Sequence, residues 1–214
     1  LSGQWPLTTL GYPDSEDFKY FYPTSILDTL WDILFFWVAR MMMFGLYLTH
    51  KVPFKVVHIH ARVVDQHGQK MSKSKGNVVN PIEMADKYGS DALRMSLIMG
   101  VAPASDVVAS EDKIRAMRNF TNKVWNASRF VLNNQQSTIN NQQARHKDDQ
   151  WILGELAKTI KSVTFSIEKY RFGQAAENLY HFFWHTFCDQ YLEMSKKRRN
   201  EAQPILLYVL DSSL

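Results

Sequence analysis

Residues 70–77 read Lys70-Met71-Ser72-Lys73-Ser74-Lys75-Gly76-Asn77. Two lysines, Lys70 and Lys73, stand three positions apart with hydroxyls beside them and a glycine behind. That set suits a polyphosphate. Lysine charge can follow the negative charge that builds on phosphate oxygens as a bond breaks. Serine hydroxyls can donate hydrogen bonds to those oxygens or cap the following turn. Gly76 lets the backbone turn sharply. On the N-terminal side, Phe54-Lys-Val-Val-His-Ile-His60 has the composition of a strand. Arg62-Val63-Val64 extends it or forms a second short strand, and Asp65-Gln-His-Gly68 is a turn into the lysine loop. On the C-terminal side, Asn80 caps a helix, Pro81 suits its first position and Glu83 completes a capping-box spacing. That helix stops at Tyr88-Gly89. Ser90 caps another, through about Met99, which Gly100 ends; residues 102–105 are a connection.

Further upstream, residues 1–25 are rich in Pro, Gly, Tyr and Trp and read as loop with short extended pieces. A short strand ends at Ile26 or Leu27, and a helix runs from about Trp31 to Tyr47. Its apolar run from Ile33 to Leu48 imitates a membrane span. It is shorter than the about 20 residues a span needs, carries Arg40 near its middle and follows Asp32 closely. A buried helix of a protein without a membrane partner is the expectation.

The character of the chain changes after Ser110. Apolar positions Ile114, Met117, Val124, Trp125, Ala127, Phe130 and Val131 predict a long helix behind a Ser110 cap. Residues 133–147 are polar and Asn/Gln-rich, a flexible connection. Helices follow over about 149–170 and 173–197, and Pro204 opens a fourth apolar segment. Strand-and-helix material followed by helices alone predicts two domains, 1–109 and 110–214. The length of 214 residues accommodates two small domains. A hydrophobic share of 45% and a charged share of 21% exclude a disordered chain. A net charge of +4 fits an RNA partner. The single Cys188 excludes an internal disulfide framework and fits a reducing cytoplasm.

Taken together these segments resemble the valyl-tRNA synthetase family of class I aminoacyl-tRNA synthetases. Lys70 to Ser74 match the KMSKS signature of that class. Trp5-Pro-Leu-Thr-Thr-Leu-Gly-Tyr-Pro13 resembles the family's WPFSTLGWP, and Asp32 to Met41 its DILFFWVARM. Tyr88 to Arg94 resembles YGADALR. Arg118 to Phe130 resembles RNFANKLWNASRF, and Phe183 to Glu193 resembles FWHEFCDWYLE, both of the anticodon-binding domain.

The resemblance implies an α/β then all-α fold: the second half of a Rossmann-type catalytic domain, then a truncated helical anticodon-binding bundle. It implies an enzyme that activates valine with ATP, accompanied by Mg²⁺, and attaches it to tRNA(Val). The expected setting is the cytoplasm, with no DNA partner, and the full-length enzyme is expected to be a monomer. Lys70 and Lys73 carry over as the catalytic lysines, and Lys70, Met71, Ser72, Lys73 and Ser74 as the ATP loop. Asp32 carries over as an acid near the adenosine ribose and Trp37 as a wall of the valine pocket. Three departures stand out. No His-x-Gly-His sequence occurs, so half of the family's ATP site is missing and this chain should be inactive alone. Leu30 and Ala61 stand where the family has glycine. An isoleucyl-tRNA synthetase fragment or a non-catalytic tRNA-binding module are the alternatives.

Bland readings compete elsewhere. His181, His185, Cys188 and Asp189 share a helical face, but no metal site is expected there. Lys196-Lys-Arg-Arg199 serves either tRNA phosphates or a helix C-terminus. Phe182, Phe183, Trp184 and Phe187 read as core rather than as a base-stacking platform.

Overall fold

The computed structural model describes residues 2–133 and 146–214. It divides into two compact units, one of Leu1–Arg62 with Pro103–Asp106, the other of Val63–Ala102 with Val107–Leu214.

In the first unit, β1 (Thr24–Thr29) and β2 (Phe54–Ile59) pair in parallel, with Asp28 opposite His58. Parallel strands need a crossover. Here it is a 3₁₀ turn (Trp31–Ile33), a π-helical stretch (Leu34–Val38) and a helix, which we number after the short helices α1 (Trp5–Thr8) and α2 (Glu16–Phe21) as α3 (Ala39–Thr49). Val38 and Met41 press onto Phe54, with Leu27, Leu34, Trp37 and Val57 around them. Gly45 allows the close fit behind: a Cβ there would come within 2.7 Å of the Tyr22 hydroxyl and 3.0 Å of Pro53.

The expected burial of this helix is not met. Phe35 (76% exposed), Phe36, Met43 and Tyr47 (81%) face outward, because a two-stranded sheet covers only one side of a helix that is apolar almost all round. By length and a mean hydropathy of 1.4, Trp31–Thr49 is apolar enough to cross a membrane.

β3 (Arg62–Val64) pairs with β4 (Asp106–Val108). The second of these falls just beyond the residues read as a connection, and three residues are too few to carry a strand pattern.

The second unit holds the helices. At α4 (Pro81–Tyr88) the Asn80 side-chain oxygen Oδ1 accepts from the Ile82 N–H at 3.0 Å, while its Nδ2 donates to Glu83 at 2.8 Å. For α5 (Ser90–Ile98) the capping position is Gly89, at φ 95°, and no side chain caps it, so Ser90 lies inside the helix rather than before it. α6 (Glu111–Leu132) begins at Ser110, whose hydroxyl accepts from the Lys113 N–H. Its buried positions Ile114, Met117, Phe120, Ala127 and Val131 recur at helical spacing.

α7 (Lys147–Glu168) follows; of the flexible connection predicted over 133–147, residues 134–145 lie outside the described residues, and Lys147 already belongs to α7. α8 (Phe172–His181) runs on through a π-helical stretch (Phe182–Tyr191), α9 (Leu192–Ser195) and a 3₁₀ turn (Lys196–Arg198). α10 (Arg199–Ser213) starts earlier than Pro204, which lies inside it. Tertiary burial overrides the local penalty of proline: Ala202, Gln203, Ile205, Leu206, Val209 and Leu210 are all buried, as befits the central helix of a bundle. Phe182, Phe183, Phe187 and Tyr191 are core against it.

Candidate functional site

The lysine loop is built from a turn and a pair of side chains. Val64 bridges to Lys70, and the Asp65 N–H donates to the Gln69 carbonyl at 2.9 Å. Gly68 closes the turn at φ 73°. Asp65 Oδ1 accepts from the backbone N–H groups of His67 (2.9 Å) and Gln69 (2.8 Å). Its other oxygen accepts from Asn77 Nδ2 at 2.7 Å. The Asn77 oxygen in turn accepts from the Ser72 N–H at 2.9 Å. These bonds hold the Asp65 carboxyl below the ordinary carboxylate range, Asn77 contributing most.

Within the loop, Lys70 and Ser74 are exposed and Met71 and Ser72 half-buried. The Ser72 and Ser74 hydroxyls lie 3.3 Å apart, and the Lys75 N–H donates to the Ser72 carbonyl in a 3₁₀ turn (Lys73–Lys75). Gly76 leaves this turn at φ 67°, a conformation that favours glycine. The backbone of Lys73 belongs to the turn; its side chain lies outside the described part. The loop thus presents cations and hydroxyls together, which is the donor set for a phosphate chain. Asp65 and Asn77 were not singled out from the sequence as functional. The signal was available, an aspartate opening a glycine turn and an asparagine directly after Gly76, but only the fold brings the two together.

Asp32 and Trp37 belong to the first unit, the lysine loop to the second. Asp32 lies half-buried in the turn after β1. The chain leaves β1 and β2 there side by side, with the His60 N–H donating to the Thr29 carbonyl at 3.0 Å. The carboxyl ends of parallel strands are where open α/β sheets bind ligands. Arg62 is held by Asp106 at 2.7 and 3.1 Å and lies over the Trp31 ring at 5.6 Å. Asp106 first, and Asp32 to a lesser degree, raise the Arg62 pKa. Trp37 is half-buried against the Val38–Met41–Phe54 core, and its indole N–H donates to the Ser2 carbonyl at 3.1 Å. Leu30 has φ −99° and ψ 152°, ordinary extended backbone. A glycine there would contribute space, not conformational freedom.

The basic run of the bundle is largely spoken for. Arg198 grips buried Asp149 through both oxygens, at 2.6 and 3.0 Å, and Arg199 donates to the Phe130 carbonyl at the end of α6. Lys196 pairs with Glu193. His185 and Lys123 both approach Asp189, and burial pushes the Cys188 thiol up to about 12, which makes it an inert core group. The most exposed aromatic among the described residues of the bundle is Trp125, read from the sequence as an apolar position of α6 but 67% exposed. Asn122 and Arg129 are exposed three and four residues from it, and Arg118 four residues before Asn122, on one helix face.

Comparison with known proteins gives these sites a setting. Residues 1–110 match the family described as tRNA synthetases class I (I, L, M and V), and residues 149–214 match the anticodon-binding domain of tRNA ligase. The valine–tRNA ligase of Clostridium tetani is 50% identical over all of this chain and 26% of its own length; that of Pelagibacter ubique is 45% identical over the same shares. The chain therefore spans about a quarter of the length of the curated relatives it matches.

Among solved structures, a leucyl-tRNA synthetase from Agrobacterium radiobacter K84, in a ternary complex with tRNA and LeuAMS, superposes with a TM-score of 0.82. It is 19% identical, over 99% of this chain and 28% of that one. Methionyl-tRNA synthetase of Mycobacterium tuberculosis, bound by methionyl-adenylate, gives 0.71 at 21% identity, over 96% and 42%. With the family match covering more than half of its residues and a helical domain behind it, the chain belongs to the class I tRNA synthetases of the isoleucine, leucine, methionine and valine group.

Proposed function

We propose that this chain is the part of a valine–tRNA ligase that carries the lysine-loop half of the ATP site, over residues 1–109, and the anticodon-binding bundle, over 110–214. The observation that carries this reading is the 50% identity to a valine–tRNA ligase along the whole chain. The enzyme would activate valine by attack of its carboxylate on the α-phosphorus of ATP. A carboxylate–phosphorus bond forms, the bond to the β-phosphate bridging oxygen breaks, and the electron pair leaves with pyrophosphate.

The loop's work is electrostatic. Lys70 and Lys73 neutralise charge that moves onto the departing phosphates, and Ser72 and Ser74 donate hydrogen bonds to their oxygens. Met71 fixes the loop by its half-buried side chain. Asp32, at the carboxyl ends of the parallel strands, accepts hydrogen bonds from the ribose hydroxyls. Trp37 supplies a flat apolar wall for the valine side chain. Asp65, the carboxylate nearest the lysines in sequence, is fully engaged, so Mg²⁺ would arrive on the phosphate oxygens of ATP rather than in a protein cage. The exposed α6 face of Arg118, Asn122, Trp125 and Arg129 suits an RNA backbone and a stacked base. The setting is the cytoplasm.

Amino-acid-dependent ATP–pyrophosphate exchange by the full-length enzyme tests the reading, with valine run beside isoleucine. Exchange favouring valine is expected. Exchange favouring isoleucine would move the chain to that relative, and none with either, from folded protein, would leave a non-catalytic tRNA-binding module. The 214 residues alone should give no exchange.

A further inference from the structure

We propose that Asp65 and Asn77 form a clasp across the base of the lysine loop and act as positioning residues for adenylate formation. The inference rests on the function proposed above and concerns two side chains outside the five-residue signature. Asp65 stands before the loop and Asn77 after it, twelve residues apart in sequence, with 2.7 Å between Asp65 Oδ2 and Asn77 Nδ2. Each also holds backbone. Asp65 takes the N–H groups of His67 and Gln69, which set the entering turn. Asn77 takes the Ser72 N–H at 2.9 Å, and its amide reaches the Lys70 carbonyl at 3.4 Å. The segment between them contains Gly76 at positive φ, and none of its described side chains is buried. Without the clasp, its lysines would sample many positions relative to a bound phosphate chain, and orientation is what such a site supplies.

The hydrogen-bond polarity makes the test unusually discriminating. Asn77→Asp sets two carboxylates face to face. Asp65→Asn sets two amide donors face to face. Turning the Asn77 amide over then only transfers the donor–donor conflict to the Ser72 N–H. The double exchange, Asp65→Asn with Asn77→Asp, restores a donor–acceptor pair, still accepts the His67, Gln69 and Ser72 N–H groups, gives up only the long 3.4 Å contact to the Lys70 carbonyl and keeps the net charge of the wild type.

In the full-length enzyme, each single variant should lower kcat for ATP–pyrophosphate exchange on the order of 10- to 100-fold, with KM for valine held within about twofold. The double exchange should recover most of the rate. Trypsin should cut after Lys70 and Lys75 faster in the single variants than in wild type, and at near wild-type speed in the double.

Because the two single variants change loop charge in opposite directions, opposite effects on rate would reveal plain electrostatics and overturn the clasp. So would single variants indistinguishable from wild type, or a double exchange no better than its parents in both rate and cleavage. A wild-type enzyme without exchange would sink the functional reading instead, and the cleavage rates would still decide the clasp.

Discussion

Asp149 is a carboxylate taken out of water, with Arg198 bidentate on it and the Tyr191 hydroxyl donating at 2.6 Å. The Asp149 side chain is 4% exposed and that of Arg198 13%. The carboxylate raises the Arg198 pKa through that hydrogen-bonded contact, and burial drives the Tyr191 hydroxyl upward. A buried pair of this kind adds little over an apolar one, but removing one partner strands the other. Asp149→Ala should therefore cost about 3 kcal/mol or more, and Tyr191→Phe about 1 kcal/mol, in urea unfolding of the 214-residue chain. Equal effects would mean that Arg198 finds water once its partner is gone. At the lysine loop, Lys73→Ala in the full-length enzyme should slow adenylate formation far more than it weakens tRNA binding. Single-turnover kinetics beside a tRNA binding curve would separate the two, and equal losses would refute the phosphate role.

Helix α6 carries two consequences at the scale of an element. Its first residue, Glu111, accepts from Lys87 at 2.9 Å and from the Tyr88 hydroxyl at 2.7 Å, which ties the end of α4 to the start of α6. Lys87, then Tyr88, hold the Glu111 carboxyl below its ordinary range. A lowered folded pKa contributes stability that is fully present above the unfolded value of about 4.3. That contribution is lost as pH falls through the folded value. Melting temperatures of wild type should thus drop over the acid window below about pH 4.3 more steeply than those of Glu111→Gln; parallel curves would show that the joint carries no linkage.

The outward face of α6 belongs to RNA binding in our reading. Arg118→Ala and Arg129→Ala should each reduce the salt slope of tRNA binding by about one, while Trp125→Ala should weaken binding at every salt concentration. Salt-insensitive binding by the parent enzyme would remove the phosphate contacts from the account.

The same helix marks how far local pattern carries. The Ser110 cap and the Asn80-Pro81-Glu83 start are legible because capping is settled within four residues. The exposure of Trp125, the three-residue β4 and the helical Pro204 are not, because each depends on which neighbour covers that position. Of the candidate site, the gathering of lysines and hydroxyls over residues 70–76 and the turn at Gly76 could be read directly, whereas the Asp65–Asn77 bond could not, since nothing in the spacing says that the two ends of the loop meet.

For the molecule as a whole, the unmet burial of the π-helical stretch and α3 has a direct outcome. Phe35, Phe36, Met43 and Tyr47 make an apolar surface of the kind that monomeric soluble proteins rarely leave open. The isolated 214-residue chain should therefore self-associate with rising concentration. Sedimentation at several concentrations checks this, and a concentration-independent monomer would count against it.

The second unit has a different kind of consequence. It contains the lysine loop, α4, α5 and the whole described bundle, and the chain passes between the units only at 62–63, 102–103 and 106–107. Inside it, the backbone at Gly173 fits so tightly against Val101 that a Cβ would come within 2.1 Å of the Val101 carbonyl oxygen. Loop and bundle thus belong to one compact unit. In our reading a tRNA on the bundle and an ATP at the lysines are held by that one unit, and a single methyl group at position 173 would be enough to push its two packed segments apart.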